Sequence, residues 1–175
     1  WHLDLPNSTY LYVMVAGPYE VIQDYHGDIP MSYWVYPKDK KHADRSFHRT
    51  PEIMRFFEKE YGVAFPWPKM DQITIPGIGG GAESTTATIL GEKTIHDAKA
   101  EKDFPSHWLV AHEAAHQWWG DYVTMGNWHH AWINESFATY GEYLYSTFQY
   151  GEVEGKINLW KKKQSYLNEY RNKYS

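Results

Sequence analysis

The sequence predicts an α+β fold, with strands early in the chain and helices late. Three observations carry this. Alternating runs rich in β-branched and aromatic residues lie before residue 91, while from Pro105 onward apolar residues recur at helical spacing. Between the early runs stand strong breakers: Gly17-Pro18, Gly27-Asp28, Pro30, Phe65-Pro66-Trp67-Pro68 and the glycines at 77 and 79–81.

In chain order, Tyr10 to Val15 reads as a first strand, and Tyr19 to Tyr25 and Met31 to Tyr36 as two more. Trp1, at the start, reads as mid-strand. His42 to Tyr61 has helical periodicity through Ile53, Phe56, Phe57 and Tyr61, with Gly62 as its stop. Thr50-Pro51 either starts that helix or kinks a longer one. Strands follow at Asp71 to Ile75 and near Thr86 to Leu90, joined by the glycine-rich turn. A helix beginning at Pro105 and ending at Gly120 comes next, then an irregular crossing from Asp121 to Ala131. A second helix spans about Trp132 to Tyr150, with Ile133, Phe137, Tyr140 and Leu144 as its buried stripe. The last runs from Glu152 to Tyr174, with Val153, Ile157, Trp160, Leu167, Tyr170 and Tyr174 on its apolar face. Residues 1–36 thus read as the tail of an N-terminal β-region, and 37–175 as the domain carrying the chemistry.

Composition narrows the function. Thirty-one aromatics among 175 residues suit a packed domain or an apolar cleft. The net charge of −5, with no long basic run, argues against nucleic acid as a partner. The short Lys161-Lys162-Lys163 cluster reads as a solvated helix face. Without cysteine there is no disulfide or thiol chemistry, and the compartment is not identified. No apolar run is long enough to span a bilayer.

The chemistry concentrates in His112-Glu113-Ala114-Ala115-His116. On a helix, residues four apart lie about 40° apart around the axis and roughly 6 Å along it, so both imidazoles can reach one metal ion. Glu113 can reach a water beside that ion as a general base, completing the H-E-x-x-H arrangement of zinc hydrolases. Chance alone yields roughly 0.04 such matches in a chain of this composition, so more is required. Glu135 supplies it: eighteen residues separate it from His116, and a second helix returning antiparallel to the first would deliver its carboxylate as a third ligand. Two His and one carboxylate leave a position open, the mark of a catalytic site.

Glycines 77 and 79–81 do not form a phosphate cradle, because no Gly-Lys-Ser/Thr follows and no helix opens there. Residues without a Cβ instead let a peptide lie against an edge strand, with Gly80, Gly81 and Ala82 offering backbone hydrogen bonds. Glu83, at the end of this stretch, is free to meet a cation. Asp121 is a candidate acceptor for a ligand imidazole by proximity in sequence, although a capping or surface position is the plainer reading. His129-His130 and the other histidines read as loop, surface or partly buried residues.

The H-E-x-x-H motif, the eighteen-residue gap, Asn134-Glu135 with Phe137-Ala138, and His116-Gln117-Trp118-Trp119-Gly120-Asp121 together resemble the gluzincin aminopeptidases, peptidase family M-one. That family includes aminopeptidase N and the leukotriene hydrolases. Gly79-Gly80-Gly81-Ala82-Glu83-Ser84 sits where the family carries Gly-Ala-Met-Glu-Asn. The likeness is strongest from about residue 65 to 151.

The resemblance implies a thermolysin-like catalytic domain with one zinc ion on His112, His116 and Glu135. It implies Glu113 as catalytic base, Glu83 as the group that pairs with a peptide substrate's free N-terminus, and an N-terminal peptide bond as the one cleaved. Ala82 and Ser84 replace the family's Met and Asn, leaving more room beside the substrate's first side chain and removing an amide. The family's oxyanion-binding tyrosine lies farther beyond the third ligand than the 40 residues after Glu135. A zinc-binding piece that is a weak catalyst by itself, completed by remaining domains of a parent chain, is therefore expected. The alternatives are a thermolysin-like endopeptidase, an epoxide hydrolase of the leukotriene-hydrolase kind, and a zinc- or peptide-binding module without turnover.

Overall fold

A computed structural model describes residues 2–174; Trp1 and the side chain of Tyr174 lie outside the described residues. Five strands form one mixed sheet in the order β1-β2-β3-β5-β4. β1 (Glu20–His26) and β2 (Ile29–Val35) are an antiparallel hairpin, with Ile22 opposite Tyr33. β2 runs parallel to β3 (Met70–Ile75), and β3 parallel to β5 (Ala87–Gly91). β4 (Gly81–Ala82) pairs antiparallel with β5 and forms the far edge. A parallel crossover needs a long connection. Two helices fill the one between β2 and β3: α1 (Lys40–Phe47) and α2 (Thr50–Tyr61). α3 (Ala100–Asp103), α4 (His107–His116), α5 (Ala131–Tyr150) and α6 (Glu152–Tyr174) follow the sheet.

The alternation in β2 turns Met31, Tyr33 and Val35 into the core, where they join Phe47 of α1, Ile53 and Phe57 of α2, and Val110 and Ala114 of α4. β3, in the middle of the sheet, is buried along nearly its whole length. Its polar side chains find partners for most of their atoms: Gln72 accepts from Thr50 Oγ1 at 2.9 Å, although its Nε2 has no partner among the described residues, Thr74 donates to the Trp34 carbonyl at 3.2 Å, and Asp71 is ion-paired with Lys69.

Several expectations need correction. Tyr10 to Val15 is not a strand: Thr9–Leu11 is a 3-10 turn, and Tyr12 and Met14 are 67% and 96% exposed. β-propensity expresses fit to a pleated, half-buried surface, and no neighbouring strand provides one there. The helix drawn from His42 to Tyr61 is two helices broken at His48-Arg49, with Pro51 in the first turn of α2, so Thr50-Pro51 is a start and not a kink. The metal-motif helix starts at His107, after Pro105, and ends at His116, with turns leading to Gly120.

The predicted stripes of the last two helices are also displaced. In α5, Phe137 and Tyr140 are exposed, whereas Asn134, Ala138, Gly141, Glu142, Tyr145 and Ser146 are buried. The face turned to α4 is chosen by close helix approach and by the polar site, both of which favour small or charged residues over large apolar ones. In α6, Val153, Ile157, Trp160 and Tyr170 face outward, and Gly155 and Asn158 are buried. Among the described residues, no helix is long and apolar enough to cross a membrane.

Candidate metal centre and active site

α4 is built from alanines and valine on the side that meets the sheet and α5: Val110, Ala111, Ala114 and Ala115 are all fully buried. α5 crosses it antiparallel, as the pairs His107–Tyr145, Ala115–Gly141 and Trp119–Phe137 show. This brings the third predicted ligand to the first two. His112 Nε2 and His116 Nε2 lie 3.1 Å apart, and Glu135 Oε2 lies 3.6 Å from each.

The opposite ring nitrogens decide what stands between them. His116 Nδ1 donates to the Trp119 carbonyl at 2.9 Å, because a carbonyl can only accept, and His112 Nδ1 faces the Glu142 carboxylate at 2.8 Å. When the rings are neutral, both Nε2 atoms therefore turn lone pairs toward each other and toward a carboxylate. Three electron-rich atoms in a triangle of 3.1, 3.6 and 3.6 Å edges call for a cation. A point equidistant from them is about 2.0 Å from each, the bond length of zinc to nitrogen and oxygen. His112, His116 and Glu135 could hold a metal.

The same need appears in the proton affinities. Burial disfavours a charged His112, yet Glu135 and Glu142 outweigh it and push its pKa up to about 10. His116 is raised as well, burial again being outweighed, chiefly by Glu135. Hydrogen bonding to these two imidazoles holds the Glu135 carboxyl far below the usual carboxylate range. Glu113, 3% exposed, is pushed the other way: burial raises it to about 7, with His112 and His116 pulling it down and Glu83 and Glu135 adding to the rise.

A cleft of about 500 Å³ opens over these groups, lined by Gly79, Gly80, Gly81, Glu83, His112, Glu113, His116, Glu135, Glu142 and Lys162. β4 forms its wall as the sheet's edge, so among the described residues no strand lies along one side of the Gly81-Ala82 backbone. Gly81 is required there, since a Cβ at this position would lie 2.4 Å from Glu113 Oε1 and 2.7 Å from the Ile89 carbonyl oxygen. Carboxylate oxygens of Glu83 and Glu113 and a ring nitrogen of His116 come within 4.8 Å of one another. That second group shares His116 with the first and is looser. A larger cavity of about 620 Å³ lies elsewhere, between Arg45, Arg49 and His107, away from both groups.

Residues not singled out in the sequence complete the site. Gln117, fully buried just after the motif, donates to the Glu83 carbonyl at 2.8 Å, and its Oε1 accepts from the Thr86 backbone N–H at 3.0 Å. It thereby clamps the segment carrying Glu83. Thr86 has φ +65°, the only positive φ outside glycine among the described residues, and a β-branched residue there is strained. Glu142 is the second support, on His112. Its signal was present in the sequence: it follows Glu135 by two helical turns, on the same face.

Asp121 does not play that part. It is 2% exposed, which also excludes a surface role, and burial, then the charge of Glu83, push its carboxyl up to about 9. His129 and His130 belong to a 3-10 turn (Trp128–His130) and do not line the metal cleft. The N-terminal segment reaches the site from outside: Tyr10 packs against Trp128 with centroids 5.0 Å apart and ring planes tilted by 58°, accepts from Asn134 at 3.2 Å and donates to the Gly120 carbonyl at 3.5 Å.

Comparison with known proteins agrees with this geometry. Residues 45–174 match the model of the peptidase family M1 domain. The chain is 33% identical over 147 residues to glutamyl aminopeptidase of Bos taurus, covering 80% of this chain and 15% of that protein. It is 31% identical over 144 residues to aminopeptidase Ey of Gallus gallus, covering 78% and 15%. With aminopeptidase M1-A of Oryza sativa subsp. japonica it shares 36% over 147 residues, covering 78% and 16%. It thus spans about 15% of the length of these curated relatives. A match over most of the chain, together with three gathered side chains that could hold a metal and a buried Glu113 beside them, leads to one assignment: this chain belongs to peptidase family M1.

Proposed function

We propose that the chain is the metal-binding part of a zinc aminopeptidase, which hydrolyses the N-terminal peptide bond of peptides. The observation that carries this is the triangle of His112, His116 and Glu135 with Glu113 buried at its side. The ligand set, two imidazoles and one carboxylate, is that of a catalytic zinc site with an open position. Zinc, when bound, polarises the scissile carbonyl and makes water beside it more acidic.

The chain's own residues do the rest. Glu113, with its carboxyl near neutrality, takes the proton from the attacking water and passes it to the departing amine. The edge strand β4 holds the peptide backbone through Gly80, Gly81 and Ala82. Glu83 pairs with the substrate's α-ammonium and so aligns the first peptide bond with Glu113. The place of Glu83 on the cleft wall, with a carboxylate oxygen within 4.8 Å of Glu113 and His116, supports this role, because a carboxylate facing a cleft attracts a cation. The names of the relatives, aminopeptidases throughout, support the same bond.

Zinc analysis combined with hydrolysis of aminoacyl p-nitroanilides, free and N-acetylated, tests the reading. Bound zinc, slow cleavage of the free substrate and resistance of the acetylated one are expected. Cleavage of both would identify an endopeptidase instead, and absence of zinc would remove the metallopeptidase reading.

A further inference from the structure

Behind the metal triangle runs a second line of charge that ends on α6. Glu142 Oε1 faces His112 Nδ1 at 2.8 Å, and Lys162 Nζ reaches Glu142 Oε2 at 2.7 Å and Oε1 at 3.0 Å. The Glu142 side chain is only 9% exposed, so its charge is sustained by these partners and little by water. Lys161 and Lys163, on either side, are exposed. The middle lysine of a cluster that reads as solvated surface is thus turned inward.

Its placement follows from how α6 docks. A Cβ on Gly155 would lie 2.0 Å from Thr147 Oγ1 and 3.2 Å from Thr147 Cα, so α5 and α6 meet there almost backbone to backbone. Two helical turns further along α6, the same face carries Lys162 to Glu142. Asn158, between Gly155 and Lys162 on that face, is buried, while Val153, Ile157 and Trp160 point outward.

We propose that Lys162 is a positioning residue of the metal site: by anchoring the Glu142 carboxylate it keeps His112 with its Nδ1 proton toward Glu142 and its Nε2 lone pair toward the metal. The inference rests on the reading of His112, His116 and Glu135 as a zinc set, and deepens it. An ordinary ion pair with a lysine this exposed contributes little to stability. The difference here is the partner, a buried carboxylate whose orientation sets that of a ligand. Partners of ligating imidazoles typically matter about 10- to 100-fold in metal affinity. Lys162 stands one step further out, so an effect of about 3- to 10-fold is expected.

The test is zinc affinity of the 175-residue chain, by competition with a chromophoric chelator, for the unsubstituted protein, Lys162→Met, Lys162→Arg and Lys163→Met. Side-chain 15N spectra of His112 in the zinc-loaded proteins report which ring nitrogen holds the metal. Expected are weaker zinc binding and mixed Nε2 and Nδ1 ligation by His112 in Lys162→Met, recovery of both in Lys162→Arg, and no change in Lys163→Met. Tight zinc binding with the same His112 spectrum in Lys162→Met overturns the inference and leaves the zinc reading intact. A loss that Lys162→Arg does not recover overturns it as well, because packing would then explain the loss. Absence of zinc from the unsubstituted chain would overturn the zinc reading itself, and this role with it.

Discussion

His112 and His116 face each other through Nε2 atoms 3.1 Å apart, each ring fixed from behind by an acceptor on Nδ1. Without a metal, burial works against a charged His112, but the carboxylates of Glu135 and Glu142 draw a proton onto it and push its pKa up to about 10. At pH 7, zinc must displace that proton, so affinity should rise about tenfold per pH unit in the neutral range. Titration calorimetry in buffers of different ionisation enthalpy should show the release of about one proton per zinc. Zinc in hundredfold excess over its Kd should stabilise the fold by about 2.7 kcal/mol, read as a higher melting temperature that EDTA abolishes.

Replacing Glu113 by Gln should leave zinc binding in place and lower kcat by about 10²- to 10⁴-fold. The base must be ionised to act, and burial raises it to about 7 in the metal-free protein. A bound cation lowers that value, so kcat/KM should level off above about pH 7 and fall on the acid side of it. A profile that does not fall at all toward acid pH would contradict the assignment.

Asp121 is a buried carboxyl held at about 9, against a usual 3.8. A folded-state pKa above the unfolded one means that stability is fully present below about pH 4 and is lost progressively as pH rises toward 9. Asp121→Asn removes this loss. Urea unfolding in EDTA should show the variant more stable than the parent at pH 8, with the gain shrinking as pH is lowered to 5.

Gly81→Ala introduces a Cβ that would sit 2.4 Å from Glu113 Oε1 and 2.7 Å from the Ile89 carbonyl, so Glu113 or the edge strand must shift. A misplacement of about 1 Å can cost on the order of 100-fold in rate. kcat should drop by at least tenfold while zinc affinity, which depends on α4 and α5, is unchanged.

Gln117 holds Thr86 at φ +65° through the Thr86 N–H and secures Glu83 through its carbonyl. Gln117→Leu should cost about 1–3 kcal/mol, because buried backbone groups lose their partners. It should also raise KM for substrates with a free amino group more than it lowers kcat. Thr86→Gly should be neutral or stabilising by about 1 kcal/mol, since strain at that φ disappears. Thermal melts and initial rates check both.

By itself, the sequence determined the α+β order, the family and the three residues that the fold gathers into a group that could hold a metal. His112 and His116 are bound to one helix face by the 3.6-residue period, and Glu135 stands at a fixed interval on a second helix, so local geometry made them legible. Tertiary structure alone decided which side of α5 and α6 turns inward. Phe137, Tyr140 and Trp160 follow the apolar pattern yet are exposed, because the interior at α4 has room for Ala138 and Gly141 and needs the charge of Glu142. The same holds for Gln117, Asp121 and Lys162, whose partners lie 20 or more residues away or whose burial depends on distant segments. Periodicity reports which residues share a face; what that face meets is set by long-range packing, and there polar groups are buried wherever a partner is waiting for them.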